Sequence, residues 1–122
     1  MKNMINWFAL PVTDLKRAVK FYNSIFDFKM NVTKMGETEM AFFPAEEGSV
    51  SGHLFVSTKS KPTLEGPYLY LNGGEDLKVI LDKVESAGGK IISSKTEISP
   101  EIGFMAVFTD SEGNKLALHS PK

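Results

Sequence analysis

The 122-residue sequence predicts an α+β fold made of two βαβββ modules. Three observations carry this. Two amphipathic segments, "TDLKRAVKFYNSIF" and "EDLKVILDKVESAGG", share an apolar face; the triplet "DLK" recurs at 14–16 and 76–78, with Leu15 matched by Leu77 and Val19 by Leu81, each 62 positions on; and each segment is preceded by one strand-like run and followed by three. A period near half the chain length, shared by helix face and local sequence, marks two copies of one supersecondary unit.

Taken in order, "MINWFAL" reads as the first strand, rich in apolar and aromatic residues. The first helix follows, with Leu15, Ala18, Val19, Tyr22, Ile25 and Phe26 on one face and Lys16, Arg17, Lys20, Asn23 and Ser24 on the other. Thr13 is the expected N-cap, Asp14 favours the positive end of the helix dipole, and the helix is expected to stop near Asp27. "FKMNVTKM", "TEMAFF" and "VSGHLFVS" are the next three strands, completing a first module over about 3–58. The segment "TKSKPTLEGP", with two prolines and a glycine, supplies a linker at about 59–66.

The second module, about 67–120, opens with the strand "YLYLN". Its helix carries Leu77, Ile80, Leu81, Val84 and Ala87 on one face and ends at Gly88 and Gly89, where a left-handed C-cap is easy. "GKIISSKT", "GFMAVFTD" and "NKLALHS" follow as strands, with "DSEGN" as a turn between the last two. In "GFMAVFTD", Phe104, Ala106 and Phe108 alternate with Met105 and Val107, which predicts burial on both faces.

Composition narrows the function. Fourteen Lys and Arg against fifteen Asp and Glu give a net charge of -1 without a basic stripe, so no nucleic acid is expected as partner. The absence of cysteine excludes disulfides, thiolate metal sites and cysteine nucleophiles. The longest apolar run, "FMAVF", is far short of the roughly 20 residues that span a bilayer, so no membrane partner and a cytoplasmic location are expected. No P-loop, dinucleotide fingerprint, serine elbow or zinc-protease motif is present. "GGEDLK" places Glu75 and Asp76 where an anion would sit at a helix start, which argues against an anion site.

"PVTDLKRAVKFYNSIFDFKM", "ESAGGKI" and "FTDSEGNKLALHS" resemble the vicinal oxygen chelate superfamily of glyoxalases, bleomycin-resistance proteins and extradiol dioxygenases, and within it the single-domain glyoxalase-like branch. The resemblance covers essentially the whole chain. It implies that the two modules curl their mixed sheets into a cup, and that the chain forms a homodimer. It further implies a divalent metal held by His and Glu side chains on the first and last strands of each module. By position those sites fall on Trp7, on Tyr68 or Leu69, on Ala117, and within His53 to Phe55. A metal site needs several N or O donors converging at about 2.0–2.3 Å, and at most one of these positions supplies one. The expectation is therefore a cup without the usual metal. The weaker alternative is a relocated divalent ion on His53, His119 and Glu39.

Strand alternation puts Ala117 and His119 on one face and Leu116 and Leu118 on the other, towards the helices; Tyr68 and Tyr70 likewise share a face opposite Leu69 and Leu71. Trp7, His53, Tyr68, Tyr70 and His119 are the expected ligand-binding residues, with His119 the candidate catalytic acid or base. For each the plain structural alternative is a core, interface or strand-end residue. The expected function is binding of a small organic molecule, as in bleomycin-resistance members. The rival is a glyoxalase-related lyase, isomerase or epimerase using His119 or a relocated metal, and a ligand-free interaction module is the third reading.

Overall fold

The computed structural model describes residues 2–122. Its elements are β1 (Phe8–Pro11), α1 (Leu15–Phe26), β2 (Asn31–Met35), β3 (Thr38–Phe42), β4 (Gly52–Phe55), β5 (Tyr70–Asn72), α2 (Lys78–Leu81), α3 (Val84–Ala87), β6 (Lys90–Ser99), β7 (Gly103–Thr109) and β8 (Lys115–Ser120). They form two four-stranded mixed sheets, ordered β1-β4-β3-β2 and β5-β8-β7-β6. In each, the first strand runs parallel to the fourth, and the other pairs are antiparallel. The two halves thus share one topology, as the internal repeat predicts.

Helix α1 forms on the expected face with one addition. Ala18, Tyr22 and Ile25 are buried, and so is Phe21, whose ring packs against Phe108 of β7 with centroids 6.3 Å apart. Leu15 and Val19 are only partly covered. The N-cap is Asp14 rather than Thr13: Asp14 is extended and its Oδ1 accepts from the Arg17 amide at 3.1 Å. Asp27 ends the helix in the left-handed conformation, at φ 54°.

The second helical segment is two short helices instead of one. The Lys83 amide bonds to the Ile80 carbonyl at 3.0 Å, an i→i−3 step that tightens the turn and divides the run. Leu77, Ile80, Leu81 and Val84 still share the buried face. Gly88 takes φ 113° as the C-cap, and the Gly89 amide reaches back to the Val84 carbonyl, a Schellman-type end. Gly89 also lets two elements approach closely, since a Cβ there would lie 2.2 Å from the Thr109 carbonyl oxygen and 2.9 Å from the Phe21 ring.

One apolar cluster serves both modules. α1, α2 and α3 meet Ala41 and Leu54 of the first sheet and Ala106, Phe108, Leu116 and Leu118 of the second. The helices cover one side of each sheet and leave the other open. In β7 the central Ala106, Val107 and Phe108 are buried, whereas Phe104 and Met105 are half-buried, so burial on both faces holds only for the strand's middle.

The "DSEGN" turn ties the halves together. Oε1 of Glu112 accepts from the Thr13 amide (2.9 Å), the Asp14 amide (2.8 Å) and Arg17 Nη2 (3.0 Å), while Oε2 accepts from Arg17 Nε (2.7 Å) and Ser111 Oγ (2.9 Å). A carboxylate from the second module therefore caps the positive end of the first module's helix. Beside it the buried Asp110 accepts from Tyr22 Oη at 2.6 Å, and Asn114 Nδ2 donates to the Pro11 carbonyl at 2.8 Å.

Candidate functional site

Strand alternation on the open side of the first sheet brings four rings together. Leu54 is fully buried towards the helices, so its neighbours His53 and Phe55 face outward. Register pairs His53 with Ala9 on β1 and with Phe42 on β3. Trp7 stands two residues before Ala9, on the same side and just ahead of the strand. Its indole N–H donates to His53 Nδ1 at 2.9 Å. Phe42 lies edge-on to both Trp7 and His53, with centroids 6.2 and 5.6 Å away, and Phe55 lies 5.9 Å from His53. Trp7 keeps 48% of its surface exposed, so this cluster presents apolar rings on the open face of the sheet.

The second sheet repeats the arrangement with different chemistry. Leu71 and Leu118 pair on the helix side, while Tyr70 pairs with Ala117 and Asn72 with His119 on the open side. Tyr68 and Tyr70 lie 6.4 Å apart and are 54% and 49% exposed; Lys115 Nζ sits 4.1 Å above the Tyr68 ring. His119 Nε2 donates to the Ile102 carbonyl at 2.6 Å. His119, Tyr70, Leu71, Asn72, Ile98 and Ile102 line an open hollow of about 580 Å³.

The expected residues are thus gathered in two groups: Trp7 with His53, and Tyr68, Tyr70 and His119. Among the described residues, no hydrogen bond, ring contact or shared hollow joins one group to the other. Phe42, Phe55, Asn72, Ile98 and Ile102 are not among the ligand-binding residues expected from the sequence. Phe55 was within reach of it, being two residues after His53 in the same strand; Phe42 was not, because "AFF" leaves open which phenylalanine faces out.

Glu39 is on the wrong side for the relocated metal set. It shares the face of the buried Ala41, and it lines a separate hollow of about 510 Å³ with Leu15, Lys16, Val19, Lys20 and Val32 on the helix side. A carboxylate there cannot converge with His53 on the opposite face of the sheet. No three His, Asp or Glu side chains among the described residues stand close enough to hold an ion.

The whole chain agrees with this reading of its fold. Residues 4–118 match the profile of the Glyoxalase/Bleomycin resistance protein/Dioxygenase superfamily. The chain belongs to this superfamily. It is 29% identical over 121 residues to a glyoxylase-like domain-containing protein of Didymella fabae, covering 97% of this chain and 94% of that one. Its fold is similar to that of TnmS3, an antibiotic binding protein from Streptomyces sp. CB03234 (TM-score 0.72, 19% identity, 98% and 97% coverage). It is also similar to a glyoxalase I variant from Zea mays (TM-score 0.74, 19% identity), of which it spans 45% while 97% of this chain is covered.

Register identifies the positions where metal-binding members of the superfamily carry their ligands. The Val12 amide bonds to the Phe55 carbonyl as the Gly73 amide bonds to the His119 carbonyl, so Phe55 corresponds to His119 and, two residues earlier, His53 to Ala117; Ala9 and Tyr70 are their partners, which makes Trp7 correspond to Tyr68. On that correspondence, the positions the resemblance implies are Trp7, His53, Tyr68 and Ala117. An indole, a phenol and a methyl group at three of the four sites do not make a divalent-metal sphere, and the fourth, His53, uses Nδ1 to accept from Trp7. The residues present do not fit the ion that the superfamily implies.

Proposed function

We propose that this protein binds a small, flat organic molecule on the open faces of its sheets, without the superfamily's metal. The observation that carries this reading is the Trp7–His53 hydrogen bond: it puts an aromatic pair in the place of two metal ligands and surrounds it with Phe42 and Phe55. Aromatic rings left half-exposed on a sheet face favour stacking on an apolar planar surface, and the imidazole of His53 adds a polar handle. The antibiotic binding described for TnmS3 is a precedent for such a role on this fold.

A second reading has one observation in its favour. His119 lines the hollow, holds Nε2 on a carbonyl and leaves Nδ1 without a protein partner among the described residues, the disposition of a general base in a lyase or isomerase. Among the described residues no acidic side chain bonds to it or lines the hollow with it, which weighs against that reading.

Trp7 is the sole tryptophan, so its emission reports on the cup directly. A panel of planar aromatic compounds titrated into the protein is expected to give saturable quenching for some members, weakened in Phe42→Ala or Phe55→Ala without loss of fold. Turnover of a bound compound that collapses in His119→Ala while affinity holds would establish the enzyme reading instead. No saturable quenching by any compound would overturn the binding proposal.

A further inference from the structure

The two histidines of the open faces are both fixed by bonds whose direction chemistry dictates. An indole N–H is a donor and nothing else, so His53 Nδ1 must accept from Trp7 and carry no proton while that bond holds. In the neutral ring the proton is then on Nε2, which has no protein partner among the described residues. At His119 the logic runs the other way. A backbone carbonyl only accepts, so Nε2 must be the protonated nitrogen, and Nδ1 is left bare without a partner among the described residues. In the neutral form both rings are Nε2–H tautomers, yet they leave opposite nitrogens without a protein partner among the described residues.

We propose that this gives the binding faces a fixed polarity: His53 offers only a hydrogen-bond donor and His119 only an acceptor. The first face then selects a group that accepts, such as a carbonyl or an oxyanion, on an aromatic body stacked among Trp7, Phe42 and Phe55. The second face selects a group that donates, such as a hydroxyl or an amine, beside Tyr70, Ile98 and Ile102. The ligand class is a planar aromatic compound that bears an oxygen acceptor where it meets the first face and a hydroxyl or amine donor where it meets the second. Its ligand half rests on the binding function proposed above; its tautomer half does not.

The test therefore has two arms. Side-chain ¹⁵N NMR at about pH 8.5, above the ordinary imidazole range, separates protonated from bare ring nitrogens, and Nε2–H is expected for both rings. In Trp7→Phe, which keeps an aromatic ring and removes the donor to Nδ1, His53 is expected to become a mixture of tautomers while His119 is unchanged. Nδ1–H at either histidine in the wild-type protein would overturn the proposal.

The second arm titrates 2-naphthaldehyde, 2-naphthol and 2-methylnaphthalene and follows backbone shifts. The aldehyde is expected to perturb the surroundings of His53 and the naphthol those of His119, each binding about five- to tenfold tighter than the methyl compound. His53→Phe should remove the aldehyde's advantage alone, and His119→Phe the naphthol's alone. Equal preference at both faces would overturn the polarity. Binding by none of the three, with both rings still Nε2–H, would sink the binding function and the ligand class while the fixed tautomers stood.

Discussion

Replacing Glu112 with alanine removes one carboxylate and five hydrogen bonds at once, and the size of the loss can be worked from the contacts. The side chain is fully buried, whereas Arg17 is 53% exposed, so the Arg17 ion pair itself is worth at most about 1 kcal/mol. The larger part is the helix cap: the Thr13 and Asp14 amides at the start of α1 lose their acceptor, and removing a cap costs about 0.5–2 kcal/mol. Leaving donors unpaired in a partly closed turn adds about 1 kcal/mol or more. The expected loss is about 2–4 kcal/mol, and a chain of this size melts about 4 °C lower for each kcal/mol. Burial on its own pushes the Glu112 carboxyl up, but hydrogen bonds from Arg17, the Asp14 amide, Ser111 and the Thr13 amide outweigh it and hold the group below the ordinary glutamate value. A carboxyl held lower in the folded than in the unfolded chain stabilises above the unfolded value of about 4.3, and that contribution fades as pH falls through the folded value. The melting difference between wild type and Glu112→Gln is therefore expected to be flat from about pH 6 to 8 and to shrink below about pH 4.3. Denaturant unfolding of Glu112→Ala and Arg17→Met checks the division of the loss. A cost below about 0.5 kcal/mol for Glu112→Ala, the range of ordinary surface changes, would refute the cap as the join between modules.

Four further outcomes are expected. Tyr22→Phe strips the buried Asp110 of one donor and should cost about 1–3 kcal/mol in urea unfolding. Because burial first, and the Asp110 charge second, raise the Tyr22 phenol well above its usual value, the tyrosine's contribution is full below about pH 10 and is lost as pH rises further, so Tyr22→Phe should flatten the alkaline limb of the melting curve. Gly89→Ala drives a Cβ into the Thr109 carbonyl and the Phe21 ring, and thermal melts should show a loss of about 1–3 kcal/mol. Ni, Zn, Fe(II) and Mn salts should leave the melting temperature unchanged, and elemental analysis should find far less than one equivalent per chain; a shift lost in both His53→Ala and His119→Ala would restore a metal centre. The exposed Val32 and Met35 of β2 and Ile92 and Ile98 of β6 favour self-association, so light scattering is expected to give twice the chain mass, reduced by Val32→Glu or Ile92→Glu.

The modules were legible because a period of 62 positions preserves the residues that build them. Leu15 and Leu77, Val19 and Leu81 mark the same helix face, and the flanking strands alternate cleanly enough that His53, Tyr70 and His119 fall on the open side as alternation requires. What escaped the sequence is what depends on distant partners. Thr13 and Asp14 are equally good caps by type; Asp14 takes the role because Glu112, nearly a hundred positions later, claims the Thr13 and Asp14 amides. Phe21 lies outside the stripe that faces its own sheet, and it is buried because the second module's Phe108 and Gly89 reach it. Glu39 is a possible ligand by type, yet its parity in β3 turns it to the helix side. The sequence gives no sign of the Trp7–His53 bond, since it joins residues 46 positions apart that become neighbours only when β1 and β4 pair in parallel.

That pairing also bears on how a metal site and an aromatic site can share one fold. The parallel neighbours β1 and β4 bring the side chains of Trp7 and His53 within one hydrogen bond of each other, and β5 with β8 set residues 68 and 117 in the corresponding register. A scaffold that brings two pairs of side chains together serves ligation when those side chains are His and Glu. With Trp7 and His53 in one pair, the same approach makes a donor–acceptor bond that satisfies the indole and locks the imidazole. With Tyr68 and Ala117 in the other, a methyl group offers the phenol no partner, and the ring stays 54% exposed with Lys115 Nζ over one face. Trp7→His would therefore be an informative reversal: it removes the donor that occupies His53 Nδ1 and supplies a second imidazole, but with Tyr68 and Ala117 unchanged only two donors face each other. Two donors fall short of the three or four protein ligands of a stable site, so Trp7→His is expected to bind Ni or Zn weakly at best, and the triple change Trp7→His, Tyr68→His, Ala117→Glu to bind markedly tighter. Isothermal titration of the two variants measures the difference, and equal affinity would show that residues 68 and 117 do not occupy the positions the register assigns to them.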